Sequence, residues 1–259
     1  MTRATKITAT KPIIASPMAP ATTSAFWRRD VYTLIALACI LFVVLTAVAM
    51  RFYPGGTIVD PVTPGYHFFE NYFSDLGLIH SRSGAPNLPA LLCFSAALVS
   101  VALALGAFFW AFTRLCAAVP RALRRSRYAA VAGTITAMSF IGVAAAPRDL
   151  VYVVHITFEL LAFPWFLAAV ACEIAALRAL EQAAPPGLPR RFLWVFVGLA
   201  VALAAYIALL AFGPPDWTPV GERVNVTGQK VIVYTAIAAI LVQALQVRRL
   251  ASRTNAPRR

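Results

Sequence analysis

Charged side chains are scarce in this sequence. Asp, Glu, Lys and Arg make up 13% of 259 residues, against about 25% in a typical soluble domain. Histidine occurs three times and cysteine four times, at Cys39, Cys93, Cys116 and Cys172, with no CxxC pair. That spacing supports neither a zinc ribbon nor a disulfide framework, so the cysteines read as small packing residues. A phosphate-cradling glycine loop and a serine-nucleophile elbow are both missing. Acidic residues number ten against 23 basic ones, a net charge of +13. The basic residues fall in short segments between apolar runs and form no continuous stripe. This argues against nucleic acid as a partner and for the lipid bilayer.

What is abundant is apolar sequence, 60% of the chain. It is concentrated in six runs near 31–50, 89–112, 129–146, 151–177, 192–212 and 231–247. Each reaches or approaches the ~20 residues that span a hydrocarbon core. Arg28-Arg29 and Ala47-Val48-Ala49 give the first run some features of a secretory signal. Its length fits a retained span better. The fold class is therefore all-α, a polytopic bundle of six transmembrane helices occupying residues 30–250. A disordered basic arm is expected at 1–29 and a basic tail at 251–259. Ala129, Gly133 and Ala137 space small residues for close helix approach, and Pro164 is expected to bend the fourth span.

Eighteen of the 23 basic residues lie on the arm, the tail and the connections after spans two and four. The positive-inside rule assigns those segments to the cytoplasm. Both termini are then inside a plasma (inner) membrane. Asp60, Glu70, Asp75, Asp149, Asp216, Glu222, His67 and His80 all fall outside.

In the first outer loop, helical periodicity over Tyr66–Gly77 aligns His67, Glu70, Asn71 and Ser74, with Asp75 beside them. Phe68, Phe69, Tyr72, Phe73 and Leu76 take the opposite side, predicting a short amphipathic helix ended by a left-handed Gly77. On span four, Asp149, Tyr152, His155 and Glu159 share one side. Glu159 then lies about 15 Å below Asp149, near mid-bilayer, where a charge costs at least ~2.5 kcal/mol. It must face the bundle interior, and His155, one turn away, is its expected hydrogen-bond partner. Glu173, nearer the cytoplasmic end, is expected to snorkel.

The string Glu70-Asn71-Tyr72-Phe73-Ser74-Asp75-Leu76-Gly77, followed by Ala146-Pro147-Arg148-Asp149 and His155, resembles a bacterial family of integral membrane proteins. That family is catalogued as domain of unknown function 998. The resemblance would cover about residues 30–250 and implies a helical membrane protein without an assigned activity.

Three functions are open to this constellation. His67 and His155, with Glu70, Asp75, Asp149 or Glu159, are a candidate zinc site. Such a site would make Asp75, Asp149 and Glu159 the catalytic candidates for hydrolysis of lipid amides or esters. A distant likeness to alkaline ceramidase-type membrane hydrolases points the same way. Those proteins use Ser, Asp and three His within seven helices, whereas this chain has six spans and no H-x-x-x-H pair near its C-terminus. A proton-coupled transporter or sensor would use Glu159 beside His155, although no internal repeat is evident. Third, the polar residues form a structural or ligand-binding site for a small molecule or lipid.

Overall fold

The computed structural model describes residues 30–183 and 188–254. The expected arm at 1–29 lies outside the described residues, as do positions 255–259 of the tail. Six helices follow in order: α1 Val31–Phe52, α2 Leu88–Phe112, α3 Pro120–Ala145, α4 Tyr152–Ala183, α5 Arg191–Phe212 and α6 Pro219–Thr254. All six are long and apolar enough to cross a membrane. Among the described residues there is no strand, only two isolated bridges, Gly55 to Pro64 and His80 to Pro86.

Successive helices pack as neighbours, and α6 closes the ring by packing on both α5 and α1. The interior is aromatic. Phe108, Phe109 and Phe112 of α2 meet Phe166 of α4 and Phe196 of α5, while Phe163 stacks edge-on against Tyr206. The outward faces are equally apolar: Leu34, Leu37, Ile40 and Val44 of α1 all stand more than half exposed. Only 22% of the most apolar stretch of α5 is buried within the protein. Water would penalise so much contiguous apolar surface, and lipid would not.

Small residues set the helix spacing on one face of α3. Ala129, Gly133 and Ala137 are all buried. A Cβ at Gly133 would fall inside the Phe109 ring, and one at Gly142 inside the Phe158 ring. In membranes, where burial from water cannot pull helices together, such close packing supplies the attraction. Helix α4 continues past Pro164 without interruption.

Two helices start well before their apolar runs. The run near residue 129 belongs to a helix beginning at Pro120, and the run near 231 to one beginning at Pro219. Both extensions open on proline, which is preorganised for the first helical turn. Hydropathy alone does not register them, because Arg121, Arg124, Arg125 and Arg127 crowd the first, and Glu222, Arg223, Asn225 and Gln229 the second.

The amphipathic helix predicted at 66–77 is not an α-helix. The segment runs as turns ending in one 3₁₀ turn, Ser74–Gly77. Gly77 is not left-handed; the positive-φ glycines are Gly55, Gly56, Gly65 and Gly84. A side chain at Gly77 would meet the Phe94 ring at 2.8 Å, so glycine is needed there for close approach.

Candidate functional site

Side chains replace helical hydrogen bonds in the 53–87 loop. The Asn71 amide donates to the Gly56 carbonyl at 2.7 Å, and its oxygen accepts the His67 N–H at 2.9 Å. The Tyr66 hydroxyl donates to the carbonyls of Asn71 and Tyr72. The Asp75 carboxylate accepts the Tyr72 N–H at 2.9 Å, and Gln229 of α6 accepts the Phe73 N–H at 2.7 Å. Each donor or acceptor satisfied this way is one that a helix would have used. The loop is thereby fixed without regular structure.

Asp75 is the centre of that network and is fully buried. Both Nε and Nη2 of Arg82 reach its Oδ1, at 3.0 and 2.9 Å. Burial disfavours the Arg82 charge, but the adjoining carboxylate outweighs this and raises its pKa. Burial also pushes the Tyr53, Tyr66 and Tyr72 phenols well above their ordinary value, aided by Asp75 at Tyr53 and Tyr66 and by Asp216 at Tyr72. All three stay protonated donors.

The helices grip the loop from below. Asp149, just before α4, accepts the N–H groups of Ile79 and His80 at 3.1 and 2.9 Å. Glu222 of α6 accepts those of Ile58 and Val59, and the Thr57 hydroxyl. Lys230 of α6 is 3% exposed. Its ammonium donates to the Asn71 carbonyl and lies 4.5 to 5.3 Å from the ring centroids of Phe73, Tyr66 and Phe68, a cation–π cage. At the rim, His67 and Arg223 both contact Glu70, with Arg223 at 2.7 Å. These contacts bring connections 53–87 and 146–151 and the start of α6 to one end of the bundle.

Beneath the cap lies a second polar group. Glu159 of α4 is partly buried, with Gln229 of α6 and Tyr206 of α5 as its polar neighbours. His155 and Arg148 are its ionisable neighbours. The Arg148 guanidinium lies over the rings of Tyr72 and Tyr152, 5.8 and 5.4 Å away, and 3.9 Å from Asp216. His155 is not hydrogen-bonded to Glu159 as expected. Its Nδ1 donates to the Ala146 carbonyl at 2.7 Å, and its buried Nε2 has no partner.

The predicted residues therefore divide. Asn71 and Asp75 share the loop network with buried Ser74 beside them; His67 and Glu70 mark its rim; Asp149 ties α4 to the loop; His155 and Glu159 form the lower group with Tyr152 at its edge. Catalytic zinc takes three protein ligands, and among the described residues no three His, Cys, Asp or Glu side chains are grouped to hold one. His67 is half-exposed beside Glu70, while His155 is enclosed against Ala146. These two do not fit a shared metal, and no metal-dependent step follows from them.

Sequence reasoning missed Gln229, Lys230, Glu222 and Arg82. The signal was a helix continuing upstream of residue 231, which puts Glu222, Val226 and Gln229 on one face at helical spacing. Glu173 was misplaced. It does not snorkel: it is fully buried, accepts the Ser126 hydroxyl at 2.7 Å and neighbours Tyr32. No family model, curated protein or solved structure matches the chain.

Proposed function

We propose that this chain is a multi-pass plasma-membrane protein, both termini in the cytoplasm, with a capped, outward-facing polar site centred on Glu159. Its role is to bind a small polar or cationic solute. The distribution of basic residues supports the orientation. One observation carries the ligand-binding reading. Glu159 sits within an aromatic bundle, with Gln229 and Tyr206 of two other helices beside it, and is only partly buried. An intramembrane carboxyl in such a position is a functional site by default. Arg148 and Tyr72, which neighbour it, are the proposed point of entry.

A structural reading has its own support, because Glu159, Tyr206 and Gln229 are polar neighbours contributed by α4, α5 and α6. Carbodiimide labelling separates the two. A hydrophobic carbodiimide should modify Glu159 and spare the enclosed Glu173, as read by peptide mass spectrometry, and a bound solute should protect Glu159. If Glu159 is as inert as Glu173, the site is sealed and only the structural reading remains.

A further inference from the structure

At the opposite end of the bundle, α2 and α3 part to leave an open groove of about 500 Å³, lined by Trp110, Thr113, Arg114, Ala117, Leu123 and Arg127. Arg114 follows the last turn of α2, and Arg127 stands two turns into α3, so each wall carries a guanidinium. Among the described residues, the groove lining includes no acidic side chain. The Trp110 indole donates to the Thr134 hydroxyl at 2.9 Å, which fixes the ring across the two helices at the groove's inner edge.

Farther along the same two helices, large apolar side chains stand outward. Leu103, one heptad before Trp110, is 61% exposed; on α3, Val131 is 52% and Met138 63% exposed. The Trp110–Thr134 bond shows that these two faces adjoin. A cationic pocket therefore opens onto an apolar trough running toward the middle of the span, with a tryptophan at the junction, the depth at which indoles favour the membrane interface.

We infer that this groove binds an anionic phospholipid, its phosphate between Arg114 and Arg127 and an acyl chain along Leu103, Val131 and Met138. Guanidinium suits phosphate because its fork of donors matches two oxygens at once. Basic pockets between helices at the cytoplasmic surface are favourable ground for such headgroups. A soluble phosphate would satisfy the arginines but leave the trough unused, so the lipid is the occupant that matches both parts. This inference depends on membrane embedding and not on the role of Glu159.

The test uses the full chain purified in non-ionic detergent and titrated with phosphatidylglycerol or phosphatidylcholine, with melting temperature and native mass spectrometry as readouts. Phosphatidylglycerol should bind and stabilise; phosphatidylcholine should not. R114Q/R127Q should weaken binding roughly tenfold or more, the weight of two surface charges. R121Q/R124Q removes the same charge from the same helix start outside the groove and should change binding less than about threefold. Should the first double variant fail to fold, R127Q alone must still weaken binding measurably more than R121Q alone. Equal binding of the two lipids, equal losses in the two double variants, or full stabilisation by glycerol phosphate alone would each overturn the assignment.

Discussion

Asp75 shows how a single residue can hold an irregular segment in place. Its carboxylate has left water entirely, and the return is two bonds from Arg82 with further contacts from Tyr72 and Asn71. Breaking a buried pair from one side strands the other member, at ~3–5 kcal/mol. D75N should therefore lower the melting temperature sharply and expose the 53–87 loop to limited proteolysis. D75N/R82M, which removes both charges, should recover part of the loss. If the double variant is no better than the single, the stranded charge is not the source of the damage. Asp75 stood out in the sequence, but as a candidate site residue beside the polar side of a helix and not as the centre of a loop. Its partner was not legible, since Arg82 is tied to it through a turn and no helical spacing. Lys230 was harder still: at the edge of an apolar run it has the look of a snorkelling anchor, whereas three loop rings and the Asn71 carbonyl enclose it.

Among the elements, periodicity succeeded where lipid or core faces alternate and failed where side chains took over backbone hydrogen bonding. The 66–77 pattern does separate polar from aromatic residues. Only part of the aromatic set packs inward, Phe73 against Phe42 and Tyr234 and Leu76 into the same cluster, while Phe69 is 60% exposed and Asn71 and Asp75 of the polar set are buried. The backbone follows Asn71, Asp75 and Gln229 instead, because those contacts are non-local and no periodicity reports them. The small-residue face of α3 was readable, and it supports a sharp contrast between two glycines. At Gly133 an added side chain collides with Phe109, so G133V should destabilise by ~1–3 kcal/mol through overpacking. At Gly198 of α5 a Cβ meets nothing within 4 Å, and G198A should be neutral or stabilising by up to ~1 kcal/mol. Thermal unfolding of the two variants in one detergent checks both. Equal effects would mean that helix propensity, and not the α2–α3 approach, sets the cost at Gly133.

On the scale of the whole molecule, the two ends of the bundle differ in kind. One end is covered by a loop whose ionisable groups are paired, Asp75 with Arg82 inside the loop and Glu70 with Arg223 of α6, and whose amides are held by Asp149. The other carries the basic connection between α2 and α3 and that between α4 and α5. The expected count of six spans agrees with the six helices long and apolar enough to cross, and an even number places both termini on one side. The orientation proposed above rests on charge, because lysine and arginine near span ends favour the cytoplasm. Val62 in the loop is 84% exposed and Trp217, between α5 and α6, is 73% exposed; Ala118, between α2 and α3, is also exposed. Cysteines introduced singly at these positions, with the four native cysteines replaced by alanine, report the orientation directly. V62C and W217C should react with a membrane-impermeant maleimide on intact cells, and A118C only after permeabilisation. The opposite pattern would turn the molecule over, placing the Glu159 site on the cytoplasmic side and the arginine groove in the outer leaflet. Labelling of V62C and A118C from the same side would contradict the six-span topology itself, since α2 would then not cross.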